Sequence, residues 1–369
     1  MKRQKNKKEM ESLDEFRRRI DGIDIQIQQL ISERAKIAQS IGVEKGLTKT
    51  SEHYRPEREA QVLREVVKRN NGPLRDDEMV RLFRELMSAC LATEEPLKVG
   101  YLGPEGTFAH QATLARFDDS WGFSPCDGLE EIFHRVETGG ALNGVVPAEN
   151  TIEGIVSHTL DLLLEAALEI VGEIVIPIDH YLLSRGESLT QVKEVFSHPQ
   201  AFGQCRPWLT THLPKVKLRE TSSTADGAAR ARRSKQAAAI ASTWAARRYD
   251  LSILASKIDG SSGAGQNITR FLVLGREPAA RTGRDKTSIA FSVRHEVGAL
   301  VRMLEPFSKH RINLMKIESR PGREKPWEYT FYVDLEGHID DPPVKRALRE
   351  FKKSSRFFKH LGSYQRADS

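Results

Sequence analysis

The spacing of apolar residues between positions 16 and 41 restricts the fold of this 369-residue chain more than any other feature. Apolar side chains recur there at intervals of four and three, which places them on one face of a helix. That helix has about 30 residues and spans roughly 45 Å. Two helical patterns of about half this length follow, one opening at Pro56 and one at the acidic run 76–78. Because they are too short to cover the first helix, the pattern predicts an all-α three-helix domain that forms an intertwined homodimer.

Charged residues interrupt the apolar faces of these helices. Arg34 occupies a position at which the first helix should present an apolar side chain, and Lys45 lies one turn beyond the last apolar residue. Arg58, Glu59 and Glu94 lie on or beside the buried faces of the other two helices. A single arginine of this kind is more often a paired or partly solvated residue, but each unpaired buried charge is costly. The five charges together therefore predict a site for an anionic ligand.

The distribution of charge argues against nucleic-acid binding. The net charge of +6 comes from residues 1–10 and 342–369, whereas residues 11–341 are net acidic, so no central surface carries the excess. We interpret residues 1–10 as a basic disordered tail. The three cysteines are too widely spaced for a disulfide framework or a thiolate zinc site. No stretch is apolar enough for a membrane span or a signal peptide, and no metal or cofactor motif is present, so we expect a cytoplasmic protein without cofactors.

After Pro96, apolar runs of strand length alternate with helical patterns, which predicts an α/β fold of two lobes. The runs are 99–102, 144–146, 170–178, 192–196, 237–240 and 268–274. Polar clusters follow several strands or open helices, and they are residues 103–107, 147–151, 197–200, 221–224 and 267–271. Ligands in α/β folds bind at the carboxyl ends of strands, so the clusters together predict a binding cleft. Taken singly, each Ser or Thr among them is more often a helix cap.

The last part of the chain has the order of a ferredoxin-like α+β domain. Residues 277–284 have the composition of a linker. Beyond them, strands are predicted at 287–293, 314–319, 329–335 and near Ser363, with helices at 298–308 and 343–351. The resulting order is β-α-β-β-α-β. Since this domain contains no evident catalytic residue, we expect it to be regulatory.

Residues 11–95 resemble the all-helical chorismate mutase family. The resemblance lies in Leu13–Asp21, Ser32–Arg34, Lys45 and Pro56–Glu59. It implies a Claisen rearrangement of chorismate to prephenate, which requires a dianion to be held in its reactive conformation and its ether oxygen to receive a hydrogen bond. The implied substrate-binding residues are Arg17 from the partner chain and Arg34 at the carboxylates, Lys45 and Glu94 as the catalytic pair at the ether oxygen, and Arg58, Glu59 and Cys90 on the ring hydroxyl side.

Glu94 stands where some chorismate mutases carry glutamine. A carboxyl group can donate a hydrogen bond to the ether oxygen only when it is protonated. We therefore expect the mutase activity to fall as the pH rises toward and above neutrality.

Residues 97–276 resemble prephenate dehydratase in five motifs that occur in the family's order: G-P-E-G-T-F, V-P-A-E-N-T-x-E-G, S-H-P-Q-A-x-x-Q-C, S-S-T-A and N-x-T-R-F. The resemblance implies a domain of two lobes, like periplasmic binding proteins, that converts prephenate to phenylpyruvate, water and carbon dioxide. It implies Thr269 as the proton donor. The implied binding residues are Thr107, Glu149, Asn150, Thr151, Ser197, Gln204, Thr224 and Arg270. His110, His158 and His198 are rival acids.

Residues 285–369 resemble the ACT regulatory module, in which phenylalanine binds between paired modules. The resemblance lies in Gly298, Ala299 and Leu300 and in Glu318, Ser319, Arg320 and Pro321, which would form the allosteric site. The chain as a whole is thus predicted to be a multidomain bifunctional chorismate mutase and prephenate dehydratase inhibited by phenylalanine. Two alternatives are a non-catalytic ligand sensor and a monofunctional dehydratase with a helical dimerisation arm.

Overall fold

The computed structural model describes residues 13–47, 56–92, 98–117, 121–260, 267–293, 296–321 and 329–367. Three helices come first, α1 (Leu13–Leu47), α2 (Pro56–Arg69) and α3 (Asp76–Ala92), which confirms the predicted helical region. At 35 residues, α1 is about 52 Å long. Among the described residues, 13–47 and 65–92 form one compact unit, and residues 56–64 group with the remainder of the chain. No helix in the described ranges is long and apolar enough to cross a membrane.

The apolar face of α1 is not covered within this unit. Phe16 is 48% exposed, Ile20 56%, Ile23 53% and Leu30 64%. Exposed apolar faces of this length mark interaction surfaces, because water would otherwise border a continuous hydrophobic stripe.

The second unit opens with an α/β region of two lobes. Its elements are β1 (Lys98–Leu102), α4 (Phe108–Arg116), β2 (Gly122–Cys126), α5 (Leu129–Glu137), β3 (Asn143–Asn150), β4 (Gly154–Ile155), α6 (Ser157–Glu165), β5 (Glu169–Pro177), β6 (Tyr181–Ser184), β7 (Glu194–Ser197), α7 (Pro199–His212), β8 (Lys217–Glu220), α8 (Thr224–Ala231), β9 (Ala237–Ala241), α9 (Thr243–Tyr249), β10 (Ser252–Ala255) and β11 (Ile268–Gly275). One sheet has the order β2-β1-β3-β11-β5 with β4 paired to β3, and the other has the order β10-β6-β9-β7-β8. The two sheets confirm the predicted lobes.

The chain ends with the predicted β-α-β-β-α-β order. The elements are β12 (Asp285–Ser292), α10 (Ala299–Lys309), β13 (Leu314–Pro321), β14 (Tyr329–Glu336), α11 (Pro342–Lys352) and β15 (Phe357–Gln365). The strands form an antiparallel sheet of order β13-β14-β12-β15. One face of this sheet packs against α10 and α11 through Ile289, Phe307, Leu335 and Phe351.

The other face of the terminal sheet packs on the first lobe. Leu163 and Leu272 of the lobe share one core with Tyr332 and Tyr364 of the terminal sheet. The approach is closest at Gly362, where a Cβ atom would lie 2.2 Å from the carbonyl oxygen of Ile170. Any side chain at position 362 would therefore separate β15 from β5.

Candidate active site

A cleft of about 850 Å³ lies between the two lobes. It is bordered by the residues that follow β1, β3, β7 and β8, as expected for an α/β fold. Four of the predicted dehydratase residues line it with their neighbours, namely Thr107, Asn150, Gln204 and Thr224, together with the predicted proton donor Thr269.

A β-bulge on β3 determines which side chains enter the cleft. On β11, Thr269 pairs with Asn150 and Arg270 with Glu149, but Phe271 pairs with Pro147, so Ala148 is the additional residue. Side chains alternate between the two faces of a strand. On β3 the bulge interrupts this alternation, so that Glu149 faces away from the cleft while Asn150 faces into it beside Thr269. A regular strand would have directed these two side chains the opposite way.

Asn150 orients the hydroxyl group of Thr269. Its Nδ2 atom donates to Thr269 Oγ1 at 2.8 Å and to Asn267 Oδ1 at 2.7 Å. Its Oδ1 atom accepts from the backbone N–H groups of Ile152 and Glu153 at 2.9 and 3.0 Å, which fixes the amide orientation. Among the described residues, no group accepts the proton of Thr269. The hydroxyl is therefore free to donate into the cleft.

Three helices begin at the cleft. Thr107 caps α4, His198 caps α7 and Ser223 caps α8, each by accepting a hydrogen bond from a backbone N–H group. Helix N-termini attract anions because their first N–H groups are unpaired and the helix dipole is positive there. None of the described residues that line the cleft is Lys or Arg. The helix ends are thus the positive groups available to an anionic ligand in the cleft wall.

His180 is a cleft residue that sequence reasoning missed. It is 3% exposed, and its Nε2 atom lies 2.8 Å from Gln204 Oε1, which makes Nε2 the donor. Burial lowers the pKa of His180, so the ring is neutral near pH 7. Gln204 also accepts from Asn267 Nδ2 at 3.3 Å. His180 lies three residues after Pro177, the last residue of β5, and directly before β6. Its position just after a predicted strand was the signal that could have identified it.

Of the three rival histidines, only His198 lines the cleft. His110 stacks on Tyr101 and accepts from the N–H of Gly106, and His158 on α6 lies 3.0 Å from Glu130 on α5. His198 Nδ1 accepts from the N–H of Gln200 at 3.3 Å. His198 therefore remains the rival acid that the geometry allows.

Arg270 and Glu149, two residues that the resemblance implies for substrate binding, are not among the described residues that line the cleft. Arg270 donates to Glu173 at 2.7 Å, to Asp334 at 2.7 Å and to Tyr364 at 2.8 Å. Glu149 accepts from Lys316 at 2.5 Å. The reason is strand geometry, because the residues next to Thr269 and Asn150 must face the opposite side of the sheet, where the terminal domain lies.

The charge of Arg270 is stabilised despite its burial. Burial opposes its ionisation, but Tyr364, Asp334 and Glu173 together raise the pKa of the guanidinium group. Burial likewise disfavours the charged form of Asp334, yet Arg270 holds the pKa of that carboxyl below its usual value. The cluster thus remains ionised as an internal ion-pair network.

Two further predicted residues have structural hydrogen bonds. Ser197 is fully buried and donates to the carbonyl oxygen of Ile240 at 2.8 Å, so its hydroxyl does not reach the cleft. Thr151 exchanges hydrogen bonds with the backbone of Ile268, which joins β11 to the loop after β3. In both residues the hydroxyl group is therefore hydrogen-bonded to a backbone group.

The predicted mutase residues have varied environments in the single chain. Arg17 is exposed and lies 3.5 Å from Asp14, and Arg58 is exposed. Arg34 is half-buried and Cys90 is buried. Glu59 is mostly buried, with its Oε1 atom 3.3 Å from Arg116 Nη1. Lys45 lies in α1 but its side chain is outside the described structure, and Glu94 lies outside the described residues.

The predicted allosteric residues occupy one helix start and one strand of the terminal domain. Gly298 has φ of 74° and caps α10, a conformation that favours glycine. Ala299 and Leu300 follow in the first turn of α10. Glu318, Ser319, Arg320 and Pro321 end β13. Arg320 Nη1 lies 3.6 Å from Asp161 of α6.

Comparisons with known proteins match all three parts of the chain. Family models of chorismate mutase type II, prephenate dehydratase and the ACT domain match residues 16–95, 99–279 and 287–352. Prephenate dehydratase from Arthrobacter aurescens, solved in complex with L-Phe, is 34% identical with a TM-score of 0.66, covering 74% of this chain and 91% of that one. GqqA, described as a novel type of quorum quenching acylase, is 28% identical with a TM-score of 0.65 and covers 73% of this chain and 98% of its own.

A curated relative matches the chain over nearly its whole length, including the helical region. The bifunctional chorismate mutase/prephenate dehydratase of Aquifex aeolicus (strain VF5) is 47% identical over 362 residues, which cover 97% of this chain and 99% of the relative. The order of the three matched regions is the order of the helical unit, the two-lobed cleft and the terminal sheet. This chain therefore belongs to the family of bifunctional chorismate mutase/prephenate dehydratases.

Proposed function

We propose that the cleft is the prephenate dehydratase site and that Thr269 is its proton donor. The supporting observation is the hydrogen bond of 2.8 Å from Asn150 Nδ2 to Thr269 Oγ1 in the cleft wall. In the reaction, prephenate loses carbon dioxide from its ring carboxylate, and the released electron pair enters the ring as the bond to the ring hydroxyl breaks. The proton of Thr269 converts the departing hydroxide to water, phenylpyruvate remains, and the threonine regains a proton from solvent.

Asn150 accounts for the acidity that a threonine ordinarily lacks. As Thr269 Oγ1 gives up its proton, negative charge develops on the oxygen, and a hydrogen bond to the charged form favours that form. The amide is fixed by the backbone of the β3–β4 loop, so it needs no reorganisation when the charge appears. Aromatisation of the ring supplies the driving force of the reaction.

The two carboxylates of prephenate are best accommodated by the starts of α4, α7 and α8. These helix ends supply backbone N–H groups and positive dipole ends without any cationic side chain in the described wall. The hydroxyl groups of Thr107 and Thr224 lie at two of these ends. This arrangement assigns carboxylate binding to backbone groups in place of Arg270.

The test compares Thr269→Val, Thr269→Ser and His198→Ala in the full chain. Removing a general acid lowers turnover by about 100- to 10,000-fold, so we expect that loss of dehydratase kcat in Thr269→Val and partial recovery in Thr269→Ser. Mutase activity of the same preparations reports on folding. A strong loss in His198→Ala with little loss in Thr269→Val would instead assign the proton donor to His198.

For the mutase reaction, we propose a dimer in which α1 of two chains pair. Support comes from the exposed apolar face of α1 and from the exposure of Arg17, which the partner's site would use. In this arrangement Arg34 and the partner's Arg17 bind the substrate carboxylates, Lys45 and Glu94 bind the ether oxygen, and Arg58, Glu59 and Cys90 lie near the ring hydroxyl.

For regulation, we propose that the ACT domain binds phenylalanine at the start of α10 and the end of β13. The complex of the Arthrobacter aurescens relative with L-Phe supports this ligand. Inhibition requires that phenylalanine bind a less active arrangement more tightly than the active one. Equilibrium dialysis that detects no phenylalanine binding, in a preparation with both activities intact, would rule the proposal out.

A further inference from the structure

Strands β3 and β11 of the first lobe face the terminal sheet of β12–β15, here called the ACT sheet, across two charged pairs. On the catalytic side, Glu149 of β3 and Arg270 of β11 are register partners. On the ACT side, Lys316 of β13 and Asp334 of β14 are register partners. Lys316 binds Glu149 at 2.5 Å, and Asp334 binds Arg270 at 2.7 Å. Each cross-strand pair of one sheet is therefore matched by a pair of opposite charges on the other.

The cross-strand pair Glu149–Arg270, which the ACT sheet binds, is adjacent to a second cross-strand pair that lines the cleft. Asn150 and Thr269 are also register partners, one position further along the same two strands. Their side chains face the cleft, whereas those of Glu149 and Arg270 face the ACT sheet. Because adjacent residues of a strand share a peptide plane, a shift of Glu149 or Arg270 is transmitted to the neighbouring cleft residue.

Glu149 is held at the bulge both by its own sheet and by the ACT sheet. Ala148 is the additional residue without a partner on β11, whereas the backbone of Glu149 pairs with Arg270 of β11 and with Ile155 of β4, and Lys316 binds its side chain from the ACT sheet. The Lys316 side chain is 24% exposed and that of Glu149 is 34% exposed, so the pair lies in a partly desolvated junction. Lys316, which lies outside the lobe, thus binds Glu149, the residue that precedes Asn150.

We propose that Lys316 of the ACT sheet is a positioning residue for the dehydratase reaction. It anchors Glu149 and thereby keeps the Asn150 amide within hydrogen-bonding distance of Thr269. The ACT sheet would then be part of the catalytic scaffold in the absence of any regulatory ligand. This inference rests on the proposed role of Thr269.

The experiment measures dehydratase kcat and KM in the full chain for Lys316→Met, Lys316→Arg and a matched control, Lys309→Met. Lys309 is an ACT lysine in an ion pair with Glu350 at 2.9 Å that does not involve the lobes. A misplaced catalytic group costs up to about 100-fold in rate. We expect Lys316→Met to lower kcat by about 10- to 100-fold with little change in KM, Lys316→Arg to restore most of it, and Lys309→Met to resemble the parent. Mutase activity should be unchanged in all three.

Glu149→Gln and the double variant Lys316→Met/Glu149→Gln test the route. If Lys316 acts through Glu149, the double variant loses no more activity than the more impaired single variant, because coupled residues are not additive. Additive losses would overturn this route, and a Lys316→Met enzyme as active as Lys309→Met would overturn the proposal itself. A loss expressed wholly in KM would also overturn it, since it would indicate substrate binding.

Thr269→Val separates this inference from the proposed function. If Thr269→Val is inactive while Lys316→Met retains full activity, only the positioning role is wrong. If Thr269→Val keeps its activity, the proton-donor assignment fails, and so does a positioning role that acts through the Asn150–Thr269 hydrogen bond.

Discussion

Replacing Arg270 with methionine distinguishes an internal ion pair from a substrate contact. The guanidinium group donates hydrogen bonds to Glu173, Asp334 and Tyr364, and its side chain is only 15% exposed. The surrounding cluster contains Arg270, Lys286 and Lys316 against Glu149, Glu173 and Asp334, so its charges balance. Methionine would leave one buried negative charge uncompensated.

Breaking a buried pair by removing one partner costs about 3–5 kcal/mol. The lower end is the better estimate here, because Glu173 keeps Lys286 at 2.9 Å and Asp334 keeps the Ser288 hydroxyl at 2.6 Å. At a urea m value of about 3 kcal/mol/M, a loss of about 3 kcal/mol lowers the unfolding midpoint by about 1 M. Adding Asp334→Asn should recover part of this loss, because it removes the unpaired carboxylate.

The assay is urea unfolding of the full chain followed by tryptophan fluorescence, together with KM for prephenate. Arg281→Met serves as the matched control, since Arg281 is 58% exposed and pairs with Asp341 at 2.6 Å. An exposed pair contributes at most about 1 kcal/mol, so its midpoint should barely move. Two results together would refute the reasoning: Arg270→Met unfolds at the same urea concentration as Arg281→Met, and its KM for prephenate rises at least about tenfold, a change of about 1.4 kcal/mol. The guanidinium group of Arg270 would then bind substrate.

Three further predictions concern pH and assembly. Burial lowers the pKa of His180 below its unfolded value, so the unfolded chain binds a proton more readily than the folded chain as the pH falls through about 6.5. The free energy of unfolding, measured from urea midpoints, should therefore drop between pH 7 and pH 5. The drop should be smaller in His180→Asn than in the exposed control His158→Asn. Ile23→Asp should weaken the proposed dimer in sedimentation experiments, whereas Leu218→Asp, at an equally exposed site in the second unit, should not. Glu94→Gln should flatten the expected fall of mutase activity with rising pH, and a flat profile in the parent enzyme would contradict the role of a protonated Glu94.

The sequence was sufficient to predict elements that carry a strong apolar pattern. Residues 268–274 were expected as a strand and form most of β11, and the ferredoxin-like order was recovered with all its elements. Two of the strands that it missed have weak patterns for physical reasons. The β8 strand Lys217–Glu220 is exposed throughout and has no apolar pattern, and β2 contains Pro125, which suits an edge position but weakens a strand prediction.

The same contrast holds for the site. The motif around Thr269 identified the cleft residue, because residue type and order are sequence properties. Strand alternation alone places Arg270 on the face opposite to Thr269. The groups that Arg270 binds there depended on what packs behind the sheet, and the direction of Asn150 depended on a bulge at Ala148. Neither the packing partner nor the bulge has a local sequence signal, since alanine fits a regular strand equally well.

The close approach of β15 to β5 at Gly362 bears on how this protein can be divided by genetic engineering. A cut in the linker at 277–284 would remove the side chains that cover Leu163 and Leu272, and would leave Arg270 without Asp334 and Tyr364. Exchange of the terminal module between relatives would need matching substitutions on the lobe. The two-lobed region and the terminal domain should therefore be kept together as one unit in engineered proteins, even though the sequence predicts a linker between them.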